Sequence, residues 1–362
     1  GLVGTGWASK TNALADENGL LEDVNTSFTA ACPRQYAAQL IYNAIDAKTV
    51  VLRDGEYTDQ TAMGVDNKTV GEKYMGLSKT EGVLVASGKT GINGQSTAKE
   101  DSLAVNTKIV SNHFAYTADV TFTKVAKDYT ALLGQVVKVL YKDGDKSKVY
   151  GVFATDDNNV LAGNSTDLEK KTATKVKFDG TEYDVAATTL VTVNGVKKNV
   201  ALADAADQYK DTAATFSLVD NNDDDKYDVL TVFAPSVVKV TYAGSNSITA
   251  GKSYKYADEN IADGIKKDDY VVITPADNTA KHRANIVKAE VVTGKVTGTK
   301  SDDSACVGGN WYTMAGNGTS FVKRPNTGSN VDMVVVNGYV YYTDTTAGNV
   351  DDMALLIEAA AK

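Results

Sequence analysis

The first 60 residues carry a helical pattern of apolar positions. Between residues 36 and 45 the apolar side chains recur at spacings of three, one, three and one, which places them on one helix face: Ala37, Leu40, Ile41, Ala44 and Ile45. Residues 7–18 predict a shorter helix, and Gly19 is a typical stop for it. Pro33 suits the first turn of the later helix, where its missing N–H is not needed. The pattern predicts a small helical unit over residues 1–60.

Beyond about residue 50 the pattern changes to short runs rich in Val, Thr, Tyr and Ile, bounded by Gly, Asn and Asp. In the run 136–141, Val137, Val139 and Tyr141 share one side, while Lys138 lies on the other, as in a half-buried strand. The same reasoning predicts strands at 82–86, 136–141, 149–154, 188–193, 229–233, 237–242, 270–274, 286–293 and 333–342.

Two-residue turn signals lie near many of these runs. Asn-Gly and Asp-Gly pairs tolerate the positive φ angles of a type I′ hairpin, and hairpins join antiparallel neighbours. The sequence therefore predicts a mainly β chain, with a small helical N-terminal unit followed by serial antiparallel β-barrel or sandwich domains. We expect domains at 1–60, 61–160, 161–235 and 236–362. The turn pairs are Asp143–Gly144, Asp179–Gly180, Asn194–Gly195 and Asn337–Gly338.

The C-terminal segment 353–361 fits two different structures. Its residue types favour a helix, whereas Leu355, Leu356 and Ile357, which follow an acidic pair, equally fit a last buried strand. Both alternatives stay open at this stage.

Composition narrows the class of protein. Hydrophobic residues make up 43% of the 362, charged residues 23%, and there are only four prolines, which favours folded modules over disorder. No apolar stretch approaches the ~20 residues that a membrane-spanning helix needs. The net charge of −9 argues against nucleic acid as a partner, because a binder must neutralise phosphates with a basic face. The two cysteines, Cys32 and Cys306, form no recognisable framework, and their pairing is left open.

The strongest chemical signal is the acidic run 220–228. Oxygen side chains recur at the spacing by which a loop wraps a hard cation, and the backbone carbonyl of Lys226 would add a further oxygen. The run departs from the full EF-hand pattern, which has Gly in place of Asp225 and Glu in place of Thr231. The sequence predicts a calcium site here, although the run equally fits a solvated acidic turn. The predicted ligands are Asp220, Asn222, Asp224, Lys226 and Asp228.

Catalytic signals are poor. The chain holds no nucleophile elbow, no zinc-binding His-Glu pair and no two-cysteine metal spacing, so we predict no catalytic residue. Tyr339, Tyr341 and Tyr342 fit either a sugar-stacking face or packing in a core and a subunit contact; we favour packing.

The N-terminal motifs resemble those of a known family. Trp7–Ala8, Leu14, Gly19–Leu20–Leu21 and the helix that opens at Pro33–Arg34 are similar to the final repeat of surface-layer homology domains. This resemblance covers about the first 45 residues. The later stretches 71–77, 142–152 and 216–228 also look like the β-rich region of such proteins from Gram-positive bacteria.

The resemblance implies an exported protein held at the cell envelope by helical repeats that grip a wall polysaccharide. Arg34 matches the arginine that contacts the wall polymer in that family, while Pro33 and Tyr36 replace the usual threonine and acid. From the residues alone, Arg34 equally fits a solvated position in the first turn of a helix.

We therefore expect a non-enzymatic, extracellular structural protein that assembles with copies of itself into a surface layer or filament. Repeating one heterologous contact yields a lattice or filament when the rotation does not close. A carbohydrate-binding adhesin is the alternative, with exposed aromatic side chains stacking on sugars. A surface glycan hydrolase with unrecognised carboxylates is a third, weaker alternative.

Overall fold

The chain is mainly β, with 49% strand and 14% helix, as the sequence predicts. The computed structural model describes residues 6–25, 31–58, 68–110, 113–275, 284–316 and 322–346. The chain divides into two compact units, Gly1–Thr80 with Lys138–Val152, and Glu81–Val137 with Phe153–Lys362. The prediction of a mainly β fold with a small helical N-terminus is confirmed.

Three of the described helices belong to the first unit: α1 (Trp7–Glu17), α2 (Arg34–Asp46) and α3 (Val70–Met75). The chain leaves α1 through Gly19 at φ +70°, the predicted stop. Pro33 is the residue before α2 rather than part of its first turn, because its ψ of 143° is extended. Thr69 and Glu72 form a reciprocal capping box at the start of α3. Neither α1 nor α2 has a buried residue.

The first unit also contains the hairpin of β1 (Val51–Arg53) and β2 (Glu56–Thr58). Its turn residues Asp54 and Gly55 have φ angles of +51° and +85°. Sequence reasoning missed this hairpin, although the Asp-Gly signal was present.

A six-stranded sheet has the order β10-β9-β3-β5-β8, with β4 paired to β3. Strands β3, β9 and β10 have residues in both units. In the second unit, Val83, Leu84, Val105 and Phe122 of this sheet are fully buried. The strand bounds are β3 (Leu77–Ser87), β4 (Thr90–Gly91), β5 (Ser102–Asn106), β8 (Val120–Thr123), β9 (Val136–Lys142) and β10 (Asp145–Ala154). A separate two-stranded sheet pairs β6 (Ile109–Val110) with β7 (His113–Phe114).

A seven-stranded sheet follows, with the order β11-β16-β17-β14-β13-β12 and β15 paired to β14. Its pairings are antiparallel except that β14 and β17 run parallel. Helix α4 packs on the sheet and buries Leu202 and three alanines against Leu218 and Leu230. The bounds are β11 (Asn159–Asn164), β12 (Leu168–Thr172), β13 (Lys175–Phe178), β14 (Thr181–Val193), β15 (Val196–Lys198), α4 (Leu202–Gln208), β16 (Thr215–Asp220) and β17 (Lys226–Phe233).

The remaining strands form two small sheets, β18-β23-β24-β22 and β19-β20-β21, and a closed barrel, β25-β26-β27-β29-β28. Val296, Val307, Met314 and Met333 lie in the barrel core. The bounds are β18 (Ser236–Lys239), β19 (Tyr242–Ala243), β20 (Ser247–Ala250), β21 (Lys252–Lys255), β22 (Asn260–Ile261), β23 (Tyr270–Pro275), β24 (Ala284–Lys288), β25 (Glu290–Thr299), β26 (Ser304–Val307), β27 (Asn310–Met314), β28 (Asn330–Val336) and β29 (Tyr339–Thr345).

Three predicted strands are wrong as single elements: the run 333–342 contains the turn Asn337–Gly338 between β28 and β29, and the other two runs change sheet partway. In the run 237–242, β18 ends at Lys239, and the amide of Thr241 already bonds to Thr249 in the neighbouring sheet. In the run 286–293, Ala289 still bonds to Tyr270, but the next residue begins the barrel. Periodicity cannot reveal such a change, because both halves are strands.

The predicted turns can be compared with their φ angles. Both residues are positive, as a type I′ turn requires, at Asp179–Gly180, Asn194–Gly195 and Asn337–Gly338. At the fourth pair, which joins β9 and β10, only Gly144 has a positive φ, so this turn is of another type.

Other predictions have mixed outcomes. Cys32 is an exposed free thiol and Cys306 a buried one. None of the described helices is long and apolar enough to cross a membrane. Both structures considered for 353–361 lie outside the described residues, and the four-domain division stays a prediction.

Candidate metal centre

The acidic run forms the connection between β16 and β17. The antiparallel register closes at Val219 and Val229, so Asp220 ends one strand while Asp228 already lies within the other. The residues between the two strands, 221–225, form the loop that connects them. The fold thereby brings the two ends of the run together.

Three carboxylates of this run meet. Oxygen atoms of Asp220, Asp224 and Asp228 all lie within 4.8 Å of one another. Asp220 and Asp228 are buried, with 0% and 1% of their surface exposed, whereas Asp224 is exposed. Carboxylate oxygens are the ligands that calcium prefers, and a cation offsets the repulsion between the three charges.

Hydrogen bonds from backbone amides two residues later in the chain hold two of the carboxylates in place. The amide of Asn222 donates to Asp220 Oδ1 at 3.2 Å, and the amide of Lys226 donates to Asp224 Oδ1 at 3.0 Å. From β11, Asn159 Nδ2 donates to Asp220 Oδ2 at 3.3 Å. Asp side chains commonly bond to the amide two residues later, which explains why this composition folds locally into a tight loop.

The side chain of Asn222 also points toward the cluster. One terminal atom of its amide lies 2.9 Å from Asp220 Oδ1 and 3.2 Å from Asp224 Oδ1. With the nitrogen in that place, the amide donates to both carboxylates. With the oxygen there, it adds a neutral ligand, and a bound cation favours this orientation.

Strand β14 has an irregularity beside Asp228. The parallel register passes from Val185 opposite Tyr227 to Leu190 opposite Val229, so β14 has three extra residues here. Asp228 lies opposite this interruption. A bulge of this kind locally redirects side chains, and it is set by packing that the sequence of the loop does not show.

Four of the five predicted ligands thus converge: Asp220, Asn222, Asp224 and Asp228. Lys226 opens β17 and contributes its amide to Asp224, while a ligand role for its carbonyl stays a prediction. Thr231, the twelfth residue when Asp220 is counted as the first, is buried inside β17 and pairs with Ser217. It belongs to the sheet rather than to the loop.

Asn221 is the residue that sequence reasoning missed. It is buried, and its Nδ2 donates to Gly134 O at 2.8 Å and to the Tyr116 hydroxyl at 3.2 Å. Burial raises the pKa of Tyr116, and the Asp228 charge adds to this while the Asn221 hydrogen bond opposes it. These contacts tie the loop to a segment about a hundred residues earlier, so no local signal marks them.

The predicted polymer-binding residue lies elsewhere. Arg34 is the first residue of α2 and is exposed. An exposed guanidinium at that position is compatible with either alternative of the sequence analysis, contact with an anionic polymer or simple solvation.

The three C-terminal tyrosines make contacts within the second unit, although Tyr342 is 40% exposed. The Tyr339 hydroxyl donates to Asp211 Oδ1 at 3.5 Å, and burial together with that carboxylate raises the pKa of Tyr339 to about 12. Tyr341 donates to the carbonyl of Thr212. Tyr342 stacks on Tyr270 with ring centroids 4.8 Å apart. These contacts favour packing over a sugar-stacking role.

The titration of the carboxyl groups bears on the hydrolase alternative. Six described carboxyl groups have a pKa that is displaced downward, whereas a general acid requires a raised pKa. The Glu169 pKa, for example, is lowered by hydrogen bonds from Lys177 and Lys210. The other groups are Asp46, Asp119, Asp145, Asp269 and Asp302.

The chain matches no protein-family model, no curated protein and no solved structure. The resemblance of its first 45 residues to surface-layer homology domains therefore stays a prediction.

Proposed function

We propose that this chain is a structural, self-assembling protein of the cell surface, and that its acidic loop binds calcium. The observation that carries the proposal is the series of separate β cores in the second unit. The seven-stranded sheet, the pair of small sheets and the barrel each have a main apolar core, and a small cluster of Val272, Ala289 and Val334 joins the small sheets to the barrel. Such a series suits a scaffold whose function is contact between copies.

The calcium site supports this role by fixing a junction. The loop is bonded to β11 through Asn159 and to the segment around Tyr116 and Gly134 through Asn221. A cation held by Asp220, Asp224 and Asp228 would stiffen these connections, because it removes the repulsion that opens the loop. Extracellular calcium modules bind with Kd values of about 10⁻⁴–10⁻³ M, which suits a site with few ligands and an exposed side.

The envelope location rests on the resemblance of the helical unit, and a wall polysaccharide is its proposed partner there. Arg34 is accessible on α2, where a planar guanidinium can form paired hydrogen bonds with an anionic polymer. Binding to purified cell wall by the wild type, lost in Arg34→Ala and kept in Arg53→Ala, would support this partner. Equal binding by both variants would remove it.

Electron microscopy of the purified chain, with calcium and with a chelator, tests the proposed assembly. We expect ordered sheets or filaments with calcium, and shorter or fewer assemblies in the chelator. Discrete single particles under both conditions, over a wide range of concentrations, would contradict the proposal.

A carbohydrate-binding adhesin is the second candidate, because one exposed aromatic side chain favours it. Trp311 on the barrel is 45% exposed, and Lys300 Nζ lies 4.1 Å from its ring centroid. A glycan array separates the candidates. Binding that Trp311→Ala abolishes and Tyr242→Ala retains would favour the adhesin, and an array without binding would exclude it.

A further inference from the structure

The second unit contains an open groove that the proposed calcium site does not use. Its volume is about 740 Å³. The walls come from residues 128–131, the start of β16, the end of β17, the β23–β24 pair, the start of β25 and the end of β28, and they include the charged residues Asp128, Lys288 and Glu290. Its lining is mostly apolar, and includes Phe233, Pro235, Val272, Val287 and Val335.

The groove has a buried floor and an exposed rim. Val272 and Val335 are 8% and 4% exposed, whereas Val287 is 48% exposed. A concave, mostly apolar surface can receive the apolar side chains of another segment. A volume between about 300 and 1,000 Å³ is sufficient for a few large side chains.

The chain itself supplies an apolar segment of suitable length. Sixteen residues, 347–362, follow the last described residue, Thr346. They include Met353, Leu355, Leu356 and Ile357 within a run interrupted only by Glu358. This run carries the side chains that an apolar groove binds.

The direction of β29 sets where the segment begins relative to the groove. This strand starts at Tyr339, opposite Val336 beside the groove, and ends at Thr345, opposite Val331 at the other end of β28. The amide of Thr346 still bonds to Asn330 there. A seven-residue strand spans roughly 20 Å. The chain therefore leaves the barrel at the far end, running away from its own groove.

We propose that residues 353–361 of one copy dock in this groove of a second copy. This inference rests on the proposed function and names the contact by which the copies join. Because the segment and the groove are different parts of the chain, a contact between two copies is heterologous and leaves a free segment and a free groove at every stage. Such a contact propagates into a filament.

Two matched substitutions test the groove in the full chain. Val287→Glu places a charge on its rim, whereas Val291→Glu places the same charge on β25, at a valine of nearly equal exposure, 48% against 47%, outside the groove. We expect Val287→Glu to raise the concentration needed for assembly at least tenfold and Val291→Glu to change it less than twofold. Both variants should keep the wild-type circular dichroism. Equal effects of the two would overturn the proposal.

A mixing experiment distinguishes a second copy from the chain's own segment. Val287→Glu blocks the groove and Leu356→Glu blocks the segment, so each variant alone should remain monomeric. Mixed in equal amounts, they should form dimers that do not grow, because only one functional pair remains. A mixture that stays monomeric while the wild type assembles would overturn the proposal.

A labelled peptide of residues 347–362 separates this inference from the proposed function. The peptide should bind the full chain that carries Leu356→Glu. It should bind at least tenfold more weakly to the chain that carries both Leu356→Glu and Val287→Glu, and with unchanged affinity to the chain that carries both Leu356→Glu and Val291→Glu. A wild type that stays monomeric would contradict the proposed assembly. A peptide that fails to bind would contradict the groove's role, whether or not the wild type assembles.

Discussion

The seven-stranded sheet and the two N-terminal helices place their apolar residues in opposite ways. In the sheet, Leu218 and Leu230 are completely buried, and the seven-residue helix α4 buries four of its residues. In α1 and α2 none is buried, and Trp7 and Ile41 are 58% and 65% exposed. An amphipathic pattern therefore predicts a face, while burial depends on whether the chain supplies a partner for it.

This difference suggests a division of roles. The sheet provides stability and a frame that positions the acidic loop, whereas the helices present apolar surface to the outside. Four predictions test whether the sheet and the helices have these different roles, in order of decreasing expected effect.

Core truncation should separate the two regions most clearly. Leu230→Ala leaves a cavity in the sheet and should lower the free energy of unfolding by about 3 kcal/mol. Ile41→Ala on α2 should change it by less than about 0.5 kcal/mol, since most of that side chain is exposed. Urea denaturation followed by circular dichroism measures both. Similar losses for the two variants would show that α2 has a buried partner.

Calcium should stabilise the region that the sheet frames. At a tenfold excess of calcium over its Kd, linkage predicts a gain of about 1.4 kcal/mol in the free energy of unfolding. Asp228→Asn should lose this gain. Asp225→Asn removes the same charge at an exposed position, where φ is +61° and Asn is well tolerated, and should keep the gain. Urea denaturation with calcium and with a chelator compares the two. Loss in both variants would indicate a general effect of charge, not a site.

Local features of the fold could be predicted from the sequence, but long-range ones could not. Turn pairs such as Asn337–Gly338 and the spacing within 36–45 act over a few residues, so their signals lie in the local sequence. The acidic run likewise indicated four residues that converge. The bulge of β14 opposite Asp228 and the contact of Asn221 with Tyr116 depend on segments far apart in the chain. Neither leaves a local signal.

The capping box of α3 tests local order in the first unit. The Thr69 side chain accepts a hydrogen bond from the Glu72 amide at 3.1 Å, and Glu72 Oε2 accepts one from the Thr69 amide at 2.8 Å. Thr69→Ala should cost about 1 kcal/mol, while Thr69→Ser keeps the cap and most of the stability. Chemical denaturation measures both variants. An equal loss in Thr69→Ser would mean that the methyl group, not the cap, is important.

The smallest effect concerns pH in the same unit. Burial pushes the pKa of Asp46 upward, but hydrogen bonds from Lys138 and Lys79 outweigh it and lower the pKa overall. The folded state thus favours the carboxylate. Its contribution is present above the unfolded pKa of about 3.9 and is lost as the pH falls through the lower folded value.

Asp46→Asn should therefore be less stable than the wild type at neutral pH, by under about 1 kcal/mol, and equally stable near pH 2. Denaturation at a series of pH values gives this difference directly. Asp54→Asn, at the exposed turn between β1 and β2, serves as the charge-matched control. A gap that persists at pH 2 would point to packing and not to the ion pairs.

Sedimentation equilibrium of the full chain over a hundredfold range of concentration tests the central claim most directly. We expect the mean mass to rise steadily above the 38.3 kDa of one chain, and to rise further with calcium than with a chelator. A mass that stays at 38.3 kDa throughout, with and without calcium, would contradict it.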